Sequence, residues 1–511
     1  MTRSRTGELP ESVRTDPRSS TPGVALALAC IVQFMVVLDV SVVNVALPSI
    51  QSSLGFESAD LPWVAGAYTL TFAGFLLLGG RLADIQGARR VFLAGLVLFS
   101  VPSLVGGLAT TPGPLIAARA AQGLGAAVLA PATLTILTTT FPEGPRRTRA
   151  LAAWTAVSLA GGASGNLIGG VLTESLSWRW ILLINAPIGV AAAVLAARLS
   201  TGRRKGRAGR LDLPGAATAT SGLALLAYGI MQAGPRGWDD PVILAALAAA
   251  AVLLAGFVLI ETRLARDPLI PPRLFRVRAI AAGNAVMLLA GACFQVPMWY
   301  FLTLYMQDVL HYTALQTGLG FLPHTLLTMT IGLRVTPWLM KHADDRTLVI
   351  TGALTAAAGF LWQSAITADS GYLSGVLGPA ILISVGGGLL NTPLTATVTS
   401  GVAERDAGAV SGLMNTAKQV GGAVGLAALT AAVAGHVTTP AALADAYGDA
   451  FLIMAAMLIV IGAVSTALPA RRDAEGPTRT GPHRGEERGL SGRTVSGLCR
   501  ESRRRFRRSR P

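Results

Sequence analysis

The stretch FMVVLDVSVVNVALPSI, residues 34–50, carries a carboxylate, Asp39, inside an otherwise apolar run. This run begins near Val24 and ends at Leu47, which is long enough to cross a bilayer as a helix. An ionised side chain at membrane depth costs several kcal/mol, so it needs a partner that offsets this cost. The rest of the chain has to supply that partner.

Similar apolar stretches recur along the whole sequence. Of the 511 residues, 52% are hydrophobic and only 14% are charged, a composition far too apolar for a soluble protein of this size. Stretches of about 18 or more apolar residues predict an all-α polytopic membrane protein with 14 transmembrane helices, numbered 1–14 in chain order. They lie near 24–47, 62–80, 91–109, 115–138, 151–173, 180–199, 213–233, 241–260, 279–306, 316–339, 347–367, 374–399, 407–435 and 449–469.

The net charge of +15 follows the predicted topology. Of the 42 Lys and Arg residues, 37 fall in the two termini and the even-numbered loops, and only Arg179 and Arg236 lie in odd-numbered loops. Basic residues accumulate in cytoplasmic loops, so this asymmetry predicts that both termini are cytoplasmic. It explains the basic excess without a nucleic-acid partner. Three cations lie within predicted helices: Arg119, Arg334 and Lys418.

Cysteine and basic-residue usage bear on the compartment. Cys30, Cys293 and Cys499 lie in two helices and the tail, and they form no disulfide or metal framework. No small-residue cleavage site follows the first apolar core, so helix 1 is expected to stay as an anchor. The chain has 39 Arg and three Lys among abundant Ala and Gly, which is typical of a high-GC bacterial genome. The bacterial plasma membrane is therefore the expected location.

A weak internal repeat divides the chain. RLADIQGARRVFLAG (81–95) aligns with WLMKHADDRTLVITG (338–352) at an offset of 257 residues, and each joins the second and third helix of a six-helix block. Parallel repeats of this kind are typical of transporters with two halves and a site between them. Helices 1–6 and 9–14 are predicted to form two six-helix bundles, with helices 7 and 8 as an inserted hairpin. The predicted boundaries are a disordered cytoplasmic N-terminus (1–22), the N-terminal bundle (23–200), the linker and hairpin (201–265), the C-terminal bundle (266–469) and a basic disordered cytoplasmic tail (470–511).

Arg119 in helix 4 is the predicted partner of Asp39. Helix 4 runs in the opposite direction to helix 1, and at 1.5 Å per residue the two side chains differ in depth by only a few ångströms. A rearrangement that changes their separation or wetting would change whether Asp39 holds a proton. The alternative is a static ion pair that only fixes helix packing. Asn44 and Gln122 could extend the polar network, or could simply bond between helices.

Helix 5 reads AVSLAGGASGNLIGGVL, with Gly161, Gly165 and Gly169 four residues apart and Gly170 adjoining. A face without side chains lets another helix approach closely and slide, although ordinary tight packing would also use it.

The 81–90 segment is predicted to be a short cytoplasmic loop of mixed charge. Asp84 could cap helix 3 or pair with Arg89, Arg90 or a neighbouring helix end, while Gly80 and Gly87 permit a sharp reversal. Such a loop could act as a latch between helices, or its basic residues could only set topology.

Helix 9, GACFQVPMWYFLTLYMQ, offers candidates for a substrate site between the halves. Its aromatic faces and neutral amide suit flat amphipathic ligands, but aromatic residues at this density are as often lipid-facing or packed between helices. The helix 9 candidates, together with Asn44 and Gln122, are Phe294, Gln295, Trp299 and Tyr300.

Four ordered stretches carry a family resemblance: LDVSVVNVALPSI, GGRLADIQGARR, RAAQGLGAAVLAPA and LAGGASGNLIGGVLTESLSWRWILLINAPIG. Together they resemble the major facilitator superfamily, specifically its fourteen-helix drug/proton antiporter branch (EmrB/QacA-type multidrug exporters). The similarity covers nearly all of residues 24–469, and NTAKQVGGAVGLAAL in the second half is similar to the same branch.

The resemblance implies proton-driven export by alternating access, with Asp39 and Arg119 serving proton coupling. It implies a gating role for the segment after helix 2, matched at Gly80, Asp84, Gly87, Arg89 and Arg90. The helix 5 antiporter motif is matched at Gly161, Gly165, Gly169 and Gly170. Two departures stand out: Asn166 follows Gly165 where the family usually has proline, and Ile85 and Ala88 replace basic residues of the gating segment.

The expected function is a proton-coupled secondary active antiporter that exports amphipathic drugs, toxins or natural products. A facilitator or importer of a small polar metabolite is the alternative, although the first-half helices show few hydrogen-bonding side chains for one. A membrane-embedded enzyme lacks a catalytic constellation in this sequence, and a scaffold or sensor stays open. The expected partners are the lipid bilayer, protons and a small amphipathic substrate, without nucleic acid, metal or cofactor beyond the proton gradient, and the expected state is a monomer.

Overall fold

The computed structural model describes residues 22–142, 144–197, 212–265, 268, 272–400, 402, 407–433 and 439–469. These residues form α-helices with short 3-10 and π-helical turns, and no β-strand occurs among them. The predicted disordered tail (470–511), all but the last residue of the predicted N-terminus (1–22), and the basic segment 198–210 lie outside the described residues.

Each of the predicted apolar stretches lies on a helical segment, labelled α1–α14 in chain order. The segments are α1 Pro22–Leu54, α2 Trp63–Gln86, α3 Ala88–Gly107, α4 Pro112–Thr140, α5 Pro145–Ser175, α6 Trp180–Ala197, α7 Leu213–Arg236, α8 Pro241–Leu264, α9 Arg278–Val309, α10 314–339, α11 Asp345–Gln363, α12 Leu373–Thr399, α13 Ala407–Ala432 and α14 Pro440–Ser465.

Ten of these segments are long and apolar enough to cross a membrane, by length and composition: α1, α3 to α9, α12 and α14. The apolar part of α2 is the shorter stretch Trp63–Leu76, and α10 is interrupted at Phe321. A polytopic all-helical fold follows from these segments, and the number of spans beyond ten stays a prediction.

Local chemistry sets several helix ends. The Asp212 carboxylate accepts a hydrogen bond from the Gly215 amide at the start of α7, and Asp240 does the same for Val242 at the start of α8. Gly87 is the only residue between α2 and α3, and its φ of +92° is a conformation that glycine adopts without strain. The predicted 81–90 loop was therefore wrong in extent, because both helices continue up to this single residue.

Packing partners correspond between the two halves of the chain. In the first half α1 packs on α5 and α3 on α4, and in the second half α9 packs on α13 and α11 on α12. The hairpin of α7 and α8 packs through α7 against α2 and α13, one helix from each half. At Gly74 of α2, an added Cβ would collide with the Thr220 side chain of α7, so these two helices touch closely.

Among the described residues, α1 belongs at one end to a hydrophobic core that both halves share and at its other end to a core of the first half. Residues Val42–Leu54 of α1 and the start of α2 belong to a core cluster that includes many residues of α9 to α14. The other end of α1, Ala25–Val36, packs in a cluster built from the first half alone. We call the end of the molecule that carries Leu54 the closed end.

Candidate functional site

The two buried ions predicted to meet are in contact. Nη1 of Arg119 donates to Oδ2 of Asp39 at 2.6 Å, joining α4 to α1. Asp39 is completely buried and Arg119 is 1% exposed. Their equal depth on antiparallel helices was enough to predict the contact, because each charge alone would be expensive inside the bundle.

Asp39 also accepts hydrogen bonds from two amide side chains. Its Oδ1 accepts from Nδ2 of Asn185 at 2.6 Å and from Nε2 of Gln122 at 3.2 Å. The same two nitrogens donate to Oγ of Ser103, each at 2.9 Å, and Ser103 donates to the Leu182 carbonyl at 2.8 Å. The carboxylate is therefore held by amides of α4 and α6 in addition to the arginine, and Ser103 of α3 fixes both amides.

Arg119 is fixed by α2 as well as by Asp39. Its Nε donates to the Val64 carbonyl at 3.0 Å, and Nη1 also donates to Oε1 of Gln122 at 3.1 Å. The Tyr68 ring lies 4.5 Å from the guanidinium carbon, a cation–π distance. The guanidinium thus keeps three contacts that do not involve Asp39.

In chemical terms, this arrangement would allow the protonation of Asp39 to change helix packing. A proton on Asp39 removes the charge that attracts Arg119 and leaves the arginine held by α2 and Gln122 alone. The four helices that meet at the carboxylate then have a different set of preferred contacts, and any conformational equilibrium between those sets depends on the proton.

A small cavity lies beside the ion pair, between the two halves, with room for about one water molecule. Asn44 and Gln295, two of the predicted substrate residues, line it, whereas Gln122 belongs to the Asp39 network. The full lining is Val40, Asn44, Ala65, Tyr68, Thr69, Arg119, Gln295 and Val296. The Tyr68 hydroxyl is buried and has no hydrogen-bond partner among the described residues.

The other predicted substrate residues are not part of this cavity lining. The Phe294 ring packs on that of Phe360 with centroids 5.7 Å apart. Trp299 contacts two rings of α10 edge-on, at 5.0 and 5.3 Å, and Tyr300 is buried beside Phe301. Of the six predicted substrate residues, two amides thus line the cavity, Gln122 belongs to the Asp39 network, and the three aromatic residues pack within the second half.

The helix 5 glycines press α5 against α1. A Cβ at Gly169 would lie 2.6 Å from the Val42 carbonyl oxygen, and one at Gly161 would lie 3.1 Å from that of Phe34. At Gly165 an added Cβ would collide with the Ser41 hydroxyl. The spacing of four residues therefore produces close helix contact, as the pattern predicts.

A second face of α5 touches the second half of the chain. A Cβ at Gly170 would lie 2.6 Å from the Ala314 carbonyl oxygen, and one at Gly318 would lie 2.5 Å from that of Asn166. The Asn166 side chain is 2% exposed, and its Oδ1 has no hydrogen-bond partner among the described residues. Helix α5 is therefore held between α1 and α10 by nearly bare backbone on both sides.

The predicted gating segment contacts the end of α6. Arg89 donates from Nε to the Ala196 carbonyl at 3.1 Å and from Nη2 to that of Ala197 at 3.3 Å. Arg90 is exposed, and a Cβ at Gly80 would have only the Pro131 side chain nearby, at 3.7 Å. The side chain of Asp84 lies outside the described part of the chain.

Sequence reasoning missed three residues of the ion-pair network: Tyr68, Ser103 and Asn185. Asn185 and Ser103 are polar residues inside apolar stretches, which is the signal that identified Asp39. Neutral polar groups give a weaker signal than charges, because they can also satisfy themselves on their own helix backbone.

Comparison with known proteins identifies a family and relatives of antibiotic export and resistance. The model of the Major Facilitator Superfamily matches residues 29–426. The chain is 58% identical over 456 residues to a cephamycin export protein of Amycolatopsis lactamdurans, covering 89% of this chain and 94% of that protein. It is 41% identical over 433 residues to a puromycin resistance protein of Streptomyces alboniger, covering 83% and 85%. The inward-open xylose transporter of E. coli shares the fold, with a TM-score of 0.60 and 11% identity over 88% of this chain and 97% of that one.

A double-mutant cycle tests the ion pair. We expect Arg119→Met to lower the melting temperature of the detergent-purified protein strongly, because an unpaired buried charge costs about 3–5 kcal/mol. Asp39→Leu alone and the double variant Asp39→Leu/Arg119→Met complete the cycle, and the double variant should melt at a higher temperature than Arg119→Met alone. Arg90→Met, at an exposed arginine, serves as the control. Strict additivity of the two single effects would contradict an energetic link between the side chains.

A pair of glycines on α5 tests the close helix contact. We expect Gly169→Ala to lower the melting temperature, because its Cβ would meet the backbone of α1. Gly162→Ala adds the same methyl group where the nearest atom, Cγ1 of Val37, is 3.7 Å away, and should be tolerated. Equal melting temperatures for the two variants would show that α5 and α1 are not in this contact.

Proposed function

The chain belongs to the Major Facilitator Superfamily, and we propose that it is a proton-coupled secondary antiporter that exports amphipathic antibiotics or other natural products by alternating access. It is a multi-pass membrane protein and a transporter, and its relatives include proteins of antibiotic export and resistance. Proton coupling, antiport and the substrate are the parts that the proposal adds.

The buried Asp39–Arg119 contact supports the coupling step more than any other observation. The carboxylate takes up a proton, its attraction to Arg119 is lost, and the first-half helices that meet there repack. Loss of the proton on the other side of the membrane restores the ion pair. Substrate moves in the opposite sense, and the cavity between the halves adjoins the same arginine.

The free energy of proton entry is large enough to drive uphill export of a substrate. A membrane potential contributes about 2.3 kcal/mol per charge per 100 mV, and a tenfold concentration gradient costs about 1.4 kcal/mol. One proton entering at ~150 mV can therefore sustain an outward gradient of more than about a hundredfold.

The substrate is proposed to bind between the halves, with Asn44 and Gln295 as polar contacts. Drug-sized ligands need pockets of roughly 300–1,000 Å³, much larger than the present cavity. The halves therefore have to separate around this position to admit a substrate. The relatives make a cephamycin and puromycin the first compounds to test.

The proposed topology has 14 spans, with bundles 23–200 and 266–469 and the hairpin region 201–265 between them. Helical segments at every predicted stretch and the asymmetry of basic residues support it. Both termini are then cytoplasmic, and the closed end faces away from the cytoplasm. The protein is proposed to act as a monomer in the bacterial plasma membrane.

Transport by inverted membrane vesicles tests the function. We expect wild-type vesicles to accumulate puromycin or a cephamycin when a proton gradient is imposed, and a protonophore to abolish the accumulation. Asp39→Asn should lower uphill accumulation about tenfold or more, because each lost proton removes several kcal/mol of drive. It should leave downhill flux of the same compound in place.

Glu57→Gln, at an exposed carboxylate in the α1–α2 connection, is the matched control and should transport normally. Undiminished uphill accumulation by Asp39→Asn would refute the coupling role. Wild-type vesicles that only equilibrate the compound would point to a facilitator, and vesicles that transport neither puromycin nor a cephamycin would reject these two substrates.

A further inference from the structure

A second carboxylate, Asp308, lies near the end of the spanning segment Arg278–Val309 in the second half. It belongs to a π-helical turn, Tyr305–Val309. Such turns insert an extra residue into a helix and occur frequently at functional sites. The Asp308 side chain is half-buried, so it is withdrawn from bulk water without being sealed from it.

The surroundings of Asp308 are aromatic. The Tyr447 hydroxyl of α14 donates to its Oδ2 at 3.5 Å, a long hydrogen bond, and the Tyr447 ring lies 6.1 Å from that of Phe301. Tyr300, about two turns before Asp308 on the same segment, is 3% exposed.

Few ionisable groups face Asp308. They are Tyr300 on its own segment, Tyr447 on α14, and His311 in the turn that follows. The carboxylates that flank Tyr447, Asp445 and Asp449, are exposed, and the adjacent Ala314–Gly320 helix carries no ionisable residue. No Lys or Arg of the described residues forms an ion pair with Asp308.

The contrast with Asp39 defines what Asp308 can bind. Asp39 has a guanidinium and two amide donors, whereas Asp308 has one long hydroxyl bond among the described residues. A half-buried carboxylate without a paired cation is stabilised by binding a proton or a cation. A metal cation would need space beside the carboxylate, which the packed tyrosines occupy. A proton needs no such space, because it binds to a carboxylate oxygen of Asp308 itself.

The same π-helical turn joins the two halves. Nε2 of Gln307, the residue before Asp308, donates to the Val45 carbonyl of α1 at 2.8 Å. Val45 lies six residues beyond Asp39 on that helix, about 9 Å along its axis. A change in the winding of the turn therefore alters both the Asp308 surroundings and a contact with the helix that carries Asp39.

We propose that Asp308 is a second proton-binding carboxylate, located in the second half and tied through Gln307 to the closed end. The carboxylate takes one proton from water and becomes the neutral acid, and it returns that proton to water when the turn and the Val45 contact rearrange. The proposal that Asp308 binds a proton is argued from these contacts and does not depend on what the protein transports. A contribution to transport rests on the proposed function.

Infrared difference spectroscopy of the reconstituted full chain, titrated with pH without substrate, tests proton binding. A protonated carboxyl group gives a C=O band that a carboxylate lacks. We expect Asp308→Asn to remove one titrating band, Asp308→Glu to retain a band, and Tyr447→Phe to shift its frequency by removing the hydroxyl donor. Glu57→Gln is the control at an exposed carboxylate, and size-exclusion chromatography verifies that each variant is folded.

A folded Asp308→Asn protein with the wild-type set of bands would overturn the proposal, whatever the chain transports. The role in transport is tested separately, with proton-driven puromycin uptake into inverted vesicles as a function of pH. We expect Asp308→Asn to change the pH profile and Asp308→Glu to restore its wild-type shape. An unchanged profile in Asp308→Asn would reject the coupling role, and failure of wild type to transport puromycin would reject only this substrate.

Discussion

The buried contact between Asp39 and Arg119 is the constraint around which the first half is organised. Neither ion can be stable alone at this depth, so α1 and α4 must be held in one register. Asn185 also donates to the carboxylate, the Val64 carbonyl accepts from the arginine, and Ser103 accepts from Asn185. Five helices thus owe part of their relative position to a single pair of charges.

Helix α1 carries this constraint to the rest of the molecule. Toward α5 it presents backbone that the helix 5 glycines approach closely, and toward α9 it offers the Val45 carbonyl to Gln307. Its closed-end portion belongs to the core shared with the second half, whereas its other portion packs within the first half alone. A change in the position of α1 at Asp39 would therefore alter the contacts of this helix with α5, with α9 and with the core at the closed end.

A buried group could be predicted from the sequence when its free-energy cost in the membrane left it few alternative partners. The Asp39–Arg119 contact was predictable from depth, because two buried charges have few alternatives to each other. Ser103 and Asn185 were not, because neutral polar groups can find partners in many places. The apolar stretch predicted for helix 9 ended at 306 and so did not include Asp308, whereas the π-helical turn extends the segment to Val309. The aromatic residues of helix 9 could not be assigned, because packing, lipid contact and ligand binding favour the same side chains.

The placement of α7 has a mechanical consequence. It is clamped to α2 and α13 together, and Gln232 at its far end donates a hydrogen bond to Asp60 at 3.1 Å. A helix that packs against both halves cannot move with one of them without breaking contacts with the other. Under the proposed alternating access, this hairpin would limit how far the halves separate and how large a substrate could pass, although it contributes no residue to the cavity.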